Sequence, residues 1–187
     1  MLEIKVESKE LYDENKEEFI KIPGVTLFLE HSLLSISKWE SKWHKPFLQT
    51  SNELTKEEII DYIKCMTISP GNIDPNIYYF LSQENVNDII AYIKNPMTAT
   101  WFKKEENKPK SREIITSELV YYWMVALQIP FECQKWHINR LLTLIQICNV
   151  KNEESMSKNK NKMSKRDLMS RNAALNAQRR AKLNSKG

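Results

Sequence analysis

The residues of this chain that could do chemistry are few, and the most suggestive pair is Cys133 and His137. They are four positions apart, so on a helix they would share a face and could supply two ligands to a metal ion. A structural zinc site needs two further ligands. The histidines and cysteines that remain are His31, His44, Cys65 and Cys148. None of these forms a pair with zinc-ligand spacing, so we predict a buried cysteine beside a histidine on the helix surface, and no metal ion.

Nucleophilic catalysis receives no better support. A catalytic thiol needs exposure and an electropositive setting, and lone cysteines in apolar helical patterns rarely have either. The sequence has no Gly-x-Ser-x-Gly motif, and its 3 glycines are too few for a phosphate-binding loop. Paired carboxylates such as Glu57-Glu58 and Glu105-Glu106 occur in stretches typical of solvated helix starts and loops. We therefore predict a protein that is not an enzyme and uses no cofactor.

Composition limits the class of protein. A chain of 187 residues fits one domain, or one domain with an appendage, and 41% hydrophobic with 28% charged residues is ordinary for a soluble protein. No apolar run reaches the roughly 18 residues of a membrane helix, and the charged first ten residues do not resemble a signal peptide. Three cysteines without a framework pattern favour a reducing, intracellular compartment.

The elements that would position any site are mainly helical. Residues 119–127 are all apolar or aromatic, and Ile129-Pro130 interrupts the run. This predicts two helices, 111–128 with Ser111 as its N-cap and 131–149, which are buried against each other. Two tryptophans of this central pair are predicted to lie in the core. They are Trp123 and Trp136.

The N-terminal part has the two-residue period of strands. Residues 2–6, 18–22 and 25–30 predict a small antiparallel ribbon within 2–30, in which 18–22 pairs with 25–30 across Pro23-Gly24. A helical body over 32–149 follows. Its first helix spans 32–44, and its second starts at the capping box Thr55-Lys-Glu-Glu58. The predicted fold is mainly α with a small β ribbon, an α+β class, and residues 1–150 form one globular domain.

The charge is divided unevenly along the chain. Residues 151–187 carry 11 Lys and Arg against 3 Asp and Glu, which leaves residues 1–150 with 17 against 21. We predict a flexible linker over 151–162 and a basic arm with a marginal helix at about 164–183. Candidate partner-binding residues of this arm are Arg166, Arg171, Arg179 and Arg180. The arm lacks aromatic residues for stacking on bases, so we favour docking on an acidic protein surface over nucleic acid.

Trp39 and Trp43 are the remaining candidates for partner binding. They lie four positions apart within 32–44 and alternate with charged residues. Tryptophans that stay partly exposed are frequent anchors of protein interfaces. Filling of the core is the favoured interpretation of both, and partner binding is kept as a hypothesis.

Several long strings in the chain resemble a family of small proteins from the tail-morphogenesis region of tailed bacteriophages and prophages. One is Ile129-Pro-Phe-Glu-Cys-Gln-Lys-Trp-His137, and another is Ser170-Arg-Asn-Ala-Ala-Leu-Asn-Ala-Gln-Arg-Arg180. The others lie at 31–48, 61–67, 97–102 and 113–124. The resemblance covers nearly the whole chain. It implies a tail assembly chaperone, which coats the tape-measure protein and helps to recruit tail-tube subunits in the host cytoplasm.

Two alternatives remain open. The protein could be a permanent virion component of the neck, connector or tail, in which the basic arm docks on neighbouring subunits. It could also be a nucleic-acid-binding accessory protein, whose binding would weaken steeply with salt. The resemblance brings no catalytic motif with it, in agreement with the search for chemistry above.

Overall fold

The computed structural model describes most of the chain, in six stretches. They are residues 1–13, 17–49, 54–71, 73–102, 113–160 and 165–183. The chain divides into two compact units, Met1–Ile145 and Gln146–Gly187. Among the described residues, the four strands and most of the helices belong to the first unit, which confirms the predicted class: mainly α with a small N-terminal antiparallel ribbon.

Four short strands build the ribbon. They are β1 (Leu2–Val6), β2 (Lys9–Asp13), β3 (Glu18–Ile22) and β4 (Val25–Leu29). β1 pairs with β4 and β2 pairs with β3, both antiparallel. The prediction that 18–22 pairs with 25–30 was therefore wrong. The two ladders share one register, because Val6 pairs with Val25 and Lys9 pairs with Ile22, so together they form one long hairpin with an interruption.

The interruption lies at Pro23-Gly24, which is not a hairpin turn. A Cβ atom on Gly24 would come within 2.9 Å of the Val6 carbonyl oxygen and 3.0 Å of the Ser8 amide nitrogen. The backbones of the two arms therefore touch at this point, and only glycine allows that approach. Pro23 has no N–H group to donate to the ladder at the same place. The Pro23-Gly24 pair therefore divides one antiparallel ladder into two, although its sequence resembles that of a turn.

Three helices follow the ribbon, each with a capping box. α1 (Leu33–Trp43), α2 (Lys56–Met66) and α3 (Gln83–Lys94) begin after Ser32, Thr55 and Ser82. In each cap the hydroxyl accepts a hydrogen bond from the backbone N–H three residues later, and that residue's side chain accepts one from the cap backbone. The predicted helix starts at 32 and at the Thr55 capping box are confirmed. A 3₁₀ segment, Pro75–Phe80, lies between α2 and α3.

Both helices of the central pair begin later in the sequence than predicted. α4 spans Ser117–Ala126 with Thr116 as its N-cap, while the predicted N-cap Ser111 lies outside the described residues. After Pro130 the chain first makes a 3₁₀ turn, Phe131–Lys135, and α5 starts only at Ile138.

Burial of the central apolar run is one-sided. α4 buries Val120 and Met124, whereas Tyr122 is 65% exposed and Val125 is 60% exposed. An apolar run on a helix points in all directions, and the core of this domain covers only one face of α4. The prediction of full burial was wrong for the opposite face. Trp123 and Trp136 are likewise only half-buried.

The predicted linker is replaced by helix over most of its length. α5 runs from Ile138 to Lys160 and so continues through the boundary predicted at 150, while the compact units divide within it at 145. Residues 151–160 contain no glycine or proline, and Lys151 and Glu154 form an i,i+3 ion pair of 3.1 Å. The second unit also contains α6 (Lys165–Leu183), where a marginal helix was predicted.

One buried carboxylate connects α1 to α4. Glu40 Oε2 accepts a hydrogen bond of 2.7 Å from the backbone N–H of Ser117, and Oε1 accepts one of 2.8 Å from that of Phe47. The Ser117 N–H is one of the donors that the first turn of a helix cannot satisfy internally. A negative charge at this end is also favoured by the dipole of α4.

We expect Glu40→Ala to lower the free energy of unfolding by about 3 kcal/mol, because it leaves the buried Ser117 N–H and the part-buried Phe47 N–H without their carboxylate acceptor. The measurement is chemical denaturation followed by circular dichroism. The matched control is Glu153→Ala, at an exposed position of α5, which should change stability by less than about 0.5 kcal/mol. Equal effects of the two variants would show that Glu40 does not brace α4.

Candidate functional site

Cys133 and His137 do not form the predicted helical pair. Cys133 is buried in the 3₁₀ turn, and His137 immediately precedes α5, so the two do not share a helix. His137 is buried rather than on the helix surface, which corrects the prediction. Within the described stretches, no group of three or more His, Cys, Asp or Glu side chains is placed to hold a metal ion.

His137 instead joins His31 in a buried cluster. Its Nε2 donates to the carbonyl of Tyr92 at 3.1 Å, and its Nδ1 accepts from the backbone N–H of Asn139 at 3.3 Å. His31 Nδ1 and the Tyr62 hydroxyl share a hydrogen bond. The two imidazoles lie edge to face with their ring centroids 5.0 Å apart. His137 Nδ1 is thus an acceptor, a role that only the neutral imidazole can have.

Burial keeps this cluster uncharged. It lowers the pKa of His31 to about 3, with a smaller contribution from the nearby His137, and it also lowers the pKa of His137. Burial raises the pKa of the Tyr62 hydroxyl well above its ordinary value. Groups held neutral in this way support packing and do not exchange protons near neutral pH. The Cys65 thiol is also poorly suited to nucleophilic attack, because burial and the charge of Asp61 raise its pKa.

Trp39 lies entirely within the core. Its Nε1 donates to the Glu58 carbonyl at 3.0 Å, and its ring packs edge-on against Phe47. The hypothesis that Trp39 contacts a partner is therefore incompatible with this fold, and its role is to fill the space between α1 and α2.

Trp43 is half-buried at the end of α1 and keeps an accessible edge. Its Nε1 donates to Asp61 Oδ2 at 2.9 Å, and the same carboxylate forms an ion pair with Lys42. Burial raises the pKa of Asp61, but the hydrogen bonds from Lys42 and Trp43 outweigh it and hold that pKa below its ordinary value. The Trp43 indole is thus held in place by the ionised Asp61 carboxylate.

Trp43 borders a groove that follows one side of α2. A depression of about 260 Å³ beside Trp43 adjoins a second one of about 440 Å³ between α2, the 3₁₀ segment and α3. The two share Ile60 and Tyr79 in their walls. Other residues of the larger depression are Ile59, Ile63, Leu81 and Val86. We call this combined surface the α2 groove.

The larger depression of the α2 groove is mainly apolar and open to solvent, whereas the smaller one is also lined by Lys42, Glu57, Asp61 and Lys64. Tyr79 is 61% exposed and Ile59 is 41% exposed, although both belong to a well-packed part of the domain. The sequence interpretation missed them. A signal was present in the doublets Ile59-Ile60 and Tyr78-Tyr79, because adjacent residues of a helical segment point about 100° apart, so such doublets extend the apolar surface beyond a single narrow face.

Two lysines of α2 border the groove. Lys56 lines the larger depression and Lys64 the smaller one. The Lys64 ammonium lies over the rings of Tyr78 and Tyr79, 5.6 Å and 5.5 Å from their centroids, so cation–π attraction holds it at the groove. The Lys64 charge is therefore held at the groove, and the residues that line the larger depression are mainly hydrocarbon and aromatic.

The predicted arginines lie in the second unit, on α6. Arg171, Arg179 and Arg180 are exposed, and Arg166 belongs to the first turn of the same helix. Residues 165–183 contain six Lys or Arg and one Asp. The candidate arginines thus belong to α6 in the second unit, whereas Trp39 and Trp43 belong to α1 in the first unit.

Comparison with known proteins adds no relative: no family model, no curated protein and no solved structure matches the chain. In the part of the chain that the structure describes, no helix is both long enough and apolar enough to cross a membrane. The class that the geometry defines is a helical domain with an open, largely apolar groove beside α2.

The histidine cluster predicts a pH dependence of stability. Because the pKa of His31 is lower in the folded state than the ordinary value near 6.5, protons bind preferentially to the unfolded chain as the pH falls. Between pH 7 and pH 5 the free energy of unfolding should fall by about 2 kcal/mol from His31 alone. The lowered pKa values of Glu58 and Asp61 affect stability only at more acidic pH.

Urea titrations at pH 7 and pH 5 measure this difference. His31→Gln should remove most of it, whereas His44→Asn, at an exposed position with a left-handed backbone that asparagine tolerates, should preserve it. An unchanged pH dependence in His31→Gln would contradict the assignment.

Proposed function

We propose that this protein is a non-enzymatic tail assembly factor of a tailed bacteriophage, which binds tape-measure and tail-tube proteins as a chaperone in the host cytoplasm. The resemblance of its long sequence strings to proteins of the tail-morphogenesis region suggests this process. The observation that carries the proposal is the α2 groove, where Trp43, Ile59 and Tyr79 stay accessible on a folded domain. Exposed apolar surface of this kind typically marks a protein interface.

The groove is suited to an amphipathic helix. Recognition of this type places apolar side chains at i, i+3, i+4 and i+7 into a hydrophobic groove formed by helices. Two aromatic residues, Trp43 and Tyr79, border the α2 groove, and aromatic residues are the commonest anchors of such interfaces. Each partner leucine that becomes fully buried would contribute about 2 kcal/mol. A few such contacts would shield the apolar face of the partner helix and still allow the partner to be released.

The environments of the groups that could do chemistry support a non-enzymatic function. His31 and His137 are neutral and enclosed, Cys133 is buried, and the Cys65 thiol has a raised pKa. Their environments fit structural roles.

A second candidate is a permanent virion component of the neck, connector or tail. It is favoured by the exposed arginines of α6, because an already helical basic segment can dock on an acidic surface of a neighbouring subunit. Mass spectrometry of purified particles beside infected-cell lysate separates the two functions. A chaperone should be abundant in the lysate and missing from particles, whereas a virion component should be present in particles at fixed copy number.

The chaperone function predicts that this protein keeps the tape-measure protein of the same genome soluble when the two are co-expressed. Tyr79→Glu should abolish this effect, because it places a charge in the wall of the groove. The matched control is Tyr122→Glu on α4, whose side chain is exposed to a similar degree, 65% against 61%. Soluble tape-measure protein with Tyr79→Glu, or equal loss with both variants, would exclude the α2 groove as the binding site.

A further inference from the structure

The α2 groove has a charge pattern that restricts what can bind there. Lys56, Ile60 and Lys64 occupy positions i, i+4 and i+8 of α2 and therefore lie along one side of the helix. With a rise of 1.5 Å per residue, the two lysines start from points about 12 Å apart. An apolar stretch thus has a cation at each end.

The neighbouring carboxylates of α2 have other partners. Asp61 is held by Lys42 and Trp43, and Glu58 is buried in an ion pair with Lys45. Glu57 is exposed in the first turn, where the helix dipole favours it. Glu57 also lines the smaller depression. With Asp61 paired to Lys42, the charges that remain beside the groove are Lys56, Lys64 and Glu57, a balance of one positive charge.

We propose that the α2 groove selects an amphipathic helix whose apolar face is flanked by two carboxylates about two turns apart, one for Lys56 and one for Lys64. This inference rests on the proposed function of the groove as a helix-binding site and adds the chemistry of the partner. Carboxylates seven or eight residues apart on the partner match the spacing of the two lysines. The flanking charges select among helices, while the apolar contacts supply most of the affinity.

The same charges disfavour a second copy of this chain as the occupant. Its exposed candidate is α6, which carries six Lys or Arg and one Asp over residues 165–183. Placing α6 in the groove would bring cations beside Lys56 and Lys64. Like charges brought together at an interface act against binding, so an acidic partner helix is favoured over self-association.

The experiment uses the full chain and two synthetic helical peptides that share one leucine stripe. One peptide carries glutamates two turns apart beside the stripe, and the other carries lysines at the same positions. Fluorescence anisotropy at low ionic strength should show about tenfold tighter binding of the glutamate peptide, since solvent-exposed ion pairs contribute up to about 1 kcal/mol each. The preference should shrink as salt is added.

Variants assign the preference to the two lysines. Lys56→Glu combined with Lys64→Glu should reverse it, so that the lysine peptide binds more tightly. The control combines Lys5→Glu with Lys135→Glu, two exposed positions outside the groove, and should keep the original preference at the same net charge. Tyr79→Glu should weaken binding of both peptides.

The outcomes separate this inference from the proposed function. Equal binding of the two peptides, with the tape-measure protein still kept soluble, overturns the charge selection and leaves the function standing. A glutamate preference without any effect on the tape-measure protein supports the selection and removes the proposed function. Tighter binding of a peptide with the sequence of residues 165–183 than of the glutamate peptide would overturn the inference in favour of a second copy.

Discussion

The fold depends on a short joint of backbone hydrogen bonds where β4 meets α1. Glu30 N–H donates to the Met66 carbonyl at 2.9 Å, and the His31 carbonyl accepts from Ile138 N–H at 2.8 Å. The last residue of α2 and the first residue of α5 are therefore attached to the same two positions of the chain. Because backbone groups buried without partners are costly, these bonds fix where both helices can lie. The His31 side chain is enclosed at this joint, which explains why it must stay neutral.

From this joint follows the division of α2 into two sides. One side faces α1, where the Trp39 indole, the Lys42–Asp61 pair and the Lys45–Glu58 pair connect the two helices. The other side faces the 3₁₀ segment and α3, and an apolar surface between these elements remains open. Because one side of α2 is packed against the domain, its other side can bind a ligand without a rearrangement of the domain. Little conformational change is then required on binding, which limits the entropic cost.

Local patterns in the sequence predicted local structure well. The capping box at Thr55 and the two-residue period of 2–6 depend on neighbours within a few residues, and both appear in the structure as expected. Strand pairing across Pro23-Gly24 could not be read locally, because the close approach to Val6 involves the other arm of the hairpin. The one-sided burial of α4 and the exposure of Tyr79 depend on how many elements surround a residue. Periodicity does not contain that information.

Gly24 also separates two parts of the hairpin that should tolerate different changes of sequence. A side chain at position 24 would force the arms apart, so this site tolerates no replacement that keeps both ladders. Beyond it, the ladder of β2 and β3 carries the exposed ring pair of Tyr12 and Phe19, with centroids 5.1 Å apart, next to its last residue pair. That outer ladder could gain or lose residues in opposite pairs while every remaining side chain kept its face. Over evolutionary time, length variation in this hairpin should therefore accumulate beyond the glycine, while the part next to the core stays constant in length.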